Sequence, residues 1–234
     1  IVTESTYGFV DHEDRRAVEK RFVETLRRTV WEGGTAIVPA FAIGRTQEIL
    51  LVCAAHDIDC YVDGMGTRVN DLLRRHPGFV RDSDALSSAI SHARTVTGGD
   101  GQRERIADGA NVIVTTSGML GGGPAMTYIP AIHDHPVNTI ALTGYQVAGT
   151  PGRALIETGS AEFDGRVLPV SATVEQFDFS AHADGAGIRA LLSDYHDADV
   201  RVIHGDDTTR FAAELRDDGI DASAPAVGDT ADIG

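Results

Sequence analysis

A repeated handover constrains this chain more than any other feature: a short apolar run passes through glycine into an amphipathic stretch. "TAIVPAFA" (35–42) leads through Gly44 into "RTQEILLVCAAHD", and "NVIVTTS" (111–117) leads through "GGGP" into "AMTYIPAI". "NTIALTGYQ" (138–146) leads through a further glycine turn into "PGR". Short β-branched runs bounded by glycine read as buried strands, and the stretches between them carry the helical period. Strands alternating with helices predict a mostly parallel α/β sheet. Val18, Phe22, Leu26 and Val30 recur at i+4 and predict a long helix over 11–32, opened by Asp11 and Asp14 and closed by Gly33-Gly34. The remaining pattern predicts a short strand at "CYVDG", two helical stretches between Thr67 and Ala93, and further strands within 165–179, where Pro169 favours an edge or a break. A helix over 185–195, the strand "VRVIHG" (200–205), a helix over 207–217 and a short extended tail complete it.

A chain of 234 residues buries a sizeable core in one or two domains. No apolar run approaches the roughly 20 residues of a membrane-spanning helix. Residues 1–8, "IVTESTYG", lack the basic start and apolar core of a signal peptide, so cytoplasm is the default expectation. The chain begins at Ile1 in mid-pattern, as if at the end of a strand, and an upstream segment is expected. Cys53 and Cys60 read as two buried thiols, with a disulfide as the lesser alternative, and are too few for a zinc knuckle. A net charge of −15 argues at first against a nucleic-acid partner. Yet Lys20 is the sole lysine and the acids are spread along the whole chain. That bias points to a surface adapted to high salt, so charge near a site bears on the partner more than the total does.

Five polar residues fall at the carboxyl ends of predicted strands, the edge where open α/β sheets bind ligands: Glu4, Arg45, Ser117, His182 and His204. A lone histidine at such an edge is more often structural than reactive; five polar groups together are harder to set aside. "FAIGRTQE", "TTSGMLGGGP" and "TGYQVAGTPGR" each present backbone N–H groups at a helix start. There Ser117, Gly118, Arg45 and Arg153 are candidates for holding phosphate. The alternative is that such glycines merely close tight corners. As neutral imidazole His204 is a candidate zinc ligand, His182 occupies the same kind of position, and Glu4 is a carboxylate able to orient one of them. Two histidines and a carboxylate make a partial metal-hydrolase site, since a catalytic zinc needs at least three protein ligands.

"ESTYG" (4–8), "VPAFAIGRTQEIL" (38–50), "YVDGM" (61–65), "TTSGMLGGGP" (115–124), "TGYQVAGTPGR" (143–153), "FSAHAD" (179–184) and "VIHGDD" (202–207) occur in that order. Together they resemble the β-CASP branch of the metallo-β-lactamase superfamily, and most closely the archaeal and eukaryotic cleavage-and-polyadenylation-specificity-factor nucleases. The resemblance implies an α/β fold: a β-CASP cap, a parallel sheet with flanking helices, inserted in a metallo-β-lactamase αββα fold of which only the C-terminal part is present. The implied boundaries are 1–10 and 177–234 for the lactamase domain and 11–176 for the cap. Glu4 then resembles the acidic residue of motif A, and His182 the motif B histidine over the scissile phosphate. His204 resembles the motif C ligand of one zinc in a two-zinc site, and Ser180 and Ser117 are placed for phosphate contacts. The main zinc motif, His-x-His-x-Asp-His, is absent here. The implied activity is zinc-dependent hydrolysis of RNA, endonucleolytic or 5′–3′ exonucleolytic, in mRNA 3′-end processing or decay by an archaeal, halophilic protein. It requires the missing N-terminal lactamase part, and the fragment alone is expected to be inactive. RNA is the expected partner, a homodimer is left open, and no membrane is involved. The competing reading is a non-catalytic RNA-binding or scaffold subunit; a small-molecule hydrolase is disfavoured because it needs no such cap.

Overall fold

A computed structural model describes residues 1–195, 197–205 and 207–230, so Asp206 of "VIHGDD" and the last residues of the tail lie outside the described residues. The chain divides into two compact units: one is Arg15–Phe179, and the other joins Ile1–Asp14 to Ser180–Gly234. In chain order the elements begin β1 (Val2–Ser5), α1 (Arg15–Trp31), β2 (Ala36–Pro39), α2 (Arg45–Ala55), β3 (Cys60–Asp63), α3 (Met65–Arg75), α4 (Ser83–His92) and β4 (Arg94–Thr95). A 3₁₀ turn, Pro77–Phe79, separates α3 from α4. They continue with α5 (Asp100–Ala107), β5 (Val112–Thr115), α6 (Ala125–Ile132), β6 (Thr139–Leu142), α7 (Pro151–Thr158), β7 (Ser160–Phe163), β8 (Arg166–Pro169) and β9 (Thr173–Gln176). The last are α8 (Gly185–Ser193), β10 (Val200–Gly205), α9 (Thr208–Asp217) and β11 (Ala222–Ser223).

The larger unit is built on a six-stranded sheet, β4-β3-β5-β2-β6-β9, in which every pairing is parallel. Its central strands are mostly apolar because both faces are covered. Successive side chains point to opposite faces, so Val38, Val62 and Val114 enter one core with Phe22, Leu26 and Leu50 of α1 and α2. Ile37, Ile113 and Ile140 enter the other, with Tyr128 and Ile129 of α6. Phe22 is fully buried and meets the rings of Phe177 and Phe179 edge-on, each at 5.1 Å. Truncating such a side chain costs about 3–5 kcal/mol. Cys53 and Cys60 are free and buried in the first core. A hydrogen bond with Cys60, and burial, push the Cys53 thiol well up.

Asp63, at the end of β3, is nearly buried and fully engaged. Arg103 of α5 grips both its oxygens, at 2.7 and 3.2 Å; the Tyr128 hydroxyl donates at 2.9 Å and the Gly64 N–H at 2.6 Å. Burial and the neighbouring carboxylate push the Tyr128 hydroxyl far up, so it stays a donor.

The smaller unit is a three-stranded parallel sheet, β1-β10-β11. Val200 and Val202 pack on Ile188 and Leu192 of α8 and on Phe211 and Leu215 of α9. The predicted helix over 11–32 starts instead at Arg15. The preceding backbone is already committed: the Val10 carbonyl accepts from Gly185 and the His12 N–H donates to Asp184. β4 and α5 were not foreseen, and β7 and β8 form their own antiparallel hairpin.

Candidate functional site

The site in the smaller unit begins with strand register. β1 and β10 pair as Val2↔Arg201 and Thr3↔Val202, and then as Glu4↔His204 and Ser5↔Gly205. Ile203 is therefore an extra residue in β10, a bulge of the kind that re-aims a side chain. Without it Glu4 would lie beside Ile203; with it Glu4 and His204 are neighbours. Gly205 completes the arrangement. Its φ is +120°, and a Cβ there would lie 2.4 Å from the Ser5 carbonyl carbon and the Thr6 nitrogen. The end of β10 can approach β1 this closely only as glycine. The buried Ser5 hydroxyl then donates to the His204 carbonyl at 3.3 Å.

His182 comes from the loop ahead of α8. Its Nδ1 lies 3.4 Å from Glu4 Oε1, while Glu4 Oε2 accepts the Thr6 N–H at 2.6 Å. Burial pushes the Glu4 carboxyl up, but the Thr6 hydroxyl, the Thr6 amide and the His182 imidazole outweigh it and hold the group below the usual range. An anionic Glu4 facing Nδ1 favours the tautomer with its proton there and leaves Nε2 to meet another group.

The loop itself is tied at several points. Ser180 Oγ accepts the His182 N–H at 3.0 Å, and the His182 carbonyl lies 3.1 Å from His12 Nε2, which must carry the proton because a carbonyl only accepts. Asp184 caps α8 by accepting from Gly187 at 2.7 Å and also accepts from His12 at 3.1 Å; these two amides lower its carboxyl pKa. The Tyr7 ring lies 4.7 Å from that of His12 and 6.2 Å from that of His182.

Thus the smaller unit brings Glu4, His182, His204 and Ser180 to one sheet edge. Thr6 and Tyr7, inside "ESTYG", and His12, four residues after it, join them without having been singled out; the signal available was the motif itself for the first two and nearness to it for His12. Arg45, Ser117, Gly118 and Arg153 belong to the larger unit. Arg45 is nearly buried and paired with Glu48, whose carboxylate also holds Arg15 at 2.6 Å. Arg153 Nε donates to Glu157 at 2.6 Å, one turn along α7. The Ser117 N–H is used by the Gly122 carbonyl, and the Gly118 carbonyl accepts from Gln146 at 3.1 Å. Both arginine charges are therefore met within their own helices.

Among the described residues no group of three or more His, Cys, Asp or Glu side chains is placed to hold a metal ion. His204 is one exposed imidazole, and these residues alone do not make up a zinc site. No helix among them is long and apolar enough to cross a membrane.

Two family models match the chain: the Beta-Casp domain over residues 46–155, and the Zn-dependent metallo-hydrolase RNA specificity domain over 167–225. Similar proteins include a probable RNase MJ4 of Methanocaldococcus jannaschii, 32% identical over 98% of this chain and 55% of its own length. Another is RNase aCSPSF2 of Saccharolobus solfataricus, 35% identical over 88% of this chain and 42% of its own. The transcription termination factor FttA of Thermococcus kodakarensis is 30% identical over 88% and 36%. The chain thus spans about half the length, or less, of these relatives. With the two models adjoining along most of the sequence, and with "SAHAD" and "VIHG" in the smaller unit, the chain belongs to the β-CASP family of metallo-hydrolases.

Proposed function

We propose that this chain is part of a ribonuclease that hydrolyses RNA phosphodiester bonds in 3′-end processing or decay. The observation that carries the reading is the Glu4–His182 contact, with His204 beside Glu4 in the adjacent strand. A carboxylate held anionic behind an imidazole is the arrangement that lets the far ring nitrogen donate a proton to a departing oxygen, a step typically worth about 10²–10⁴-fold. In this reading His182, in its doubly protonated form, is the general acid; Glu4 accepts from its Nδ1–H and orients the ring, and Ser180 and His12 hold its backbone in place. The names of two relatives, both RNases, support RNA as the substrate. Zinc comes from the description of the second matched model. His204 is proposed as one ligand, with the others supplied from outside these 234 residues.

The test uses the full-length protein and end-labelled RNA. His182→Ala should lower cleavage by at least about 100-fold while bound zinc, measured by atomic absorption, stays at the wild-type level. His204→Ala should lower bound zinc. Wild-type cleavage in His182→Ala would remove that residue from the chemistry. Binding of RNA without any cleavage by the wild-type protein would favour a scaffold instead.

A further inference from the structure

Helix α3 turns Leu73 to the core but leaves other apolar side chains in solvent. The residues it buries are Gly66 and Asn70, the latter hydrogen-bonded to Gln47 at 2.8 Å. Met65 and Leu72 are 61% and 54% exposed, and Phe79, in the turn that follows, is 86% exposed. Met65, Arg68, Leu72 and Arg75 follow one another at spacings of three, four and three, which sets them in a single stripe along the helix. This stripe of alternating apolar and cationic side chains faces solvent.

Its charge is equally out of character for the chain. Against a total of −15, the segment 68–81 holds Arg68, Arg74, Arg75 and Arg81 with Asp71 as its sole acid. Among the described residues none of these four arginines has a carboxylate at ion-pair distance; Arg75 Nε donates to the Asp71 carbonyl instead, at 3.2 Å. Many arginines elsewhere are paired: Arg15 and Arg45 with Glu48, Arg103 with Asp63, Arg189 with Glu214. Arg74 and Arg75 lie in the last turn of α3, where cations also favour the helix dipole. That accounts for neither Arg68, in the first turn, nor Arg81, beyond the helix. The His76 ring stands 6.4 Å from that of Phe79, at 60° to it.

We propose that the exposed face of α3, with Phe79, binds single-stranded RNA outside the cleavage site, Arg68 and Arg75 meeting phosphates and Phe79 stacking on a base. This rests on the reading of the protein as an RNA nuclease. Uncommitted arginines on a strongly acidic protein select a polyanion by charge complementarity. An exposed phenyl ring in the turn that follows the helix selects an unpaired base, since every base has a face on which to stack. The apolar positions give the face an attraction that salt does not screen, unlike its arginines.

The test measures binding of a fluorescent single-stranded oligoribonucleotide to the full-length protein by anisotropy, across a range of salt concentrations. Phe79→Ala should weaken binding about tenfold, and Phe79→Tyr should restore it. Arg68→Gln with Arg75→Gln should reduce the slope of log K against log salt by about 1.4, two single-strand phosphate contacts. Unchanged melting temperatures would show that these exposed replacements leave the fold intact. If the wild-type protein cleaves RNA but both sets of variants bind with wild-type affinity and slope, this face is not an RNA site, while the nuclease reading stands. If they alter only self-association or binding to anionic vesicles, the face serves another partner and the proposal is overturned. If the wild-type protein neither binds nor cleaves RNA, the functional reading itself falls.

Discussion

Replacing Gly205 with alanine should dismantle the register that sets His204 beside Glu4. The native φ of +120° is open to glycine and strained for alanine, at about 1–3 kcal/mol. The added methyl would also sit 2.4 Å from backbone atoms of Ser5 and Thr6, which cannot rotate away as a side-chain tip can. Relieving that overlap means moving β10 off β1, at a further cost of about 1–3 kcal/mol. Taking about 3 kcal/mol as the sum, amides held by opening of this small sheet should exchange about 100-fold faster, at about 1.4 kcal/mol per tenfold. Hydrogen exchange read by mass spectrometry on peptides covering 1–8 and 199–205 would measure this, with peptides of β2 and β5 as internal controls. Wild-type exchange rates in the β1 and β10 peptides would refute the close-approach argument, and with it the role of glycine in building the site. Faster exchange in β2 and β5 as well would mean that the perturbation is not confined to the smaller sheet.

Other outcomes can be tested in parallel. The Glu4 carboxyl is held below its ordinary value of about 4.5, so its stabilising contribution is complete above that value and is lost as pH falls through the lower, folded one. Glu4→Gln should therefore flatten the acid limb of the exchange profile of β1 below about pH 4.5 and leave neutral-pH behaviour of the larger unit unchanged. Removing Arg103 as Arg103→Met strands a buried carboxylate and should cost about 3–5 kcal/mol, whereas Tyr128→Phe deletes one bond to that charge and should cost about 1.5–3 kcal/mol. Urea titration followed through Trp31, in the larger unit, would rank the two, and equal losses would contradict the assignment of Arg103 as the main partner of Asp63.

The parallel sheet was legible because its central strands need no polar face: "AIVP", "VIVT" and "TIAL" are buried at every position, and the only polar residues among them are Thr115 and Thr139 at strand ends. β4 and α5 were missed for the opposite reason. Arg94 and Thr95 are both exposed, and α5 buries only Ile106 and Ala107, so neither element carries a periodic signal. The hairpin of β7 and β8 was not foreseen, although Asp164-Gly165 between its strands, with φ values of 50° and 76°, fits a two-residue primed turn. The pairings of Arg45 with Glu48 and Arg153 with Glu157 were also readable, three and four residues apart in "GRTQE" and "GRALIE". The closeness of Glu4, His182 and His204 was not readable from local pattern. It depends on a bulge at Ile203 and a left-handed glycine, which leave no mark on hydrophobic period, and it was accessible only through resemblance of the motifs.

The smaller unit is assembled from two stretches of chain separated by 165 residues, and among the described residues β1 pairs only with β10. Were that intervening stretch a loose loop, closing it would cost about 4–5 kcal/mol in chain entropy. Its two ends are instead neighbours: the Arg15 guanidinium lies over the Phe179 ring at 4.2 Å. A folded insert with touching ends works as a staple, delivering the two halves of a discontinuous sheet to each other at high local concentration. Since β10 follows the insert in the chain, the β1–β10 pairing waits for the insert to be synthesised, and a lesion where Arg15 meets Phe179 should slow the closing of this sheet.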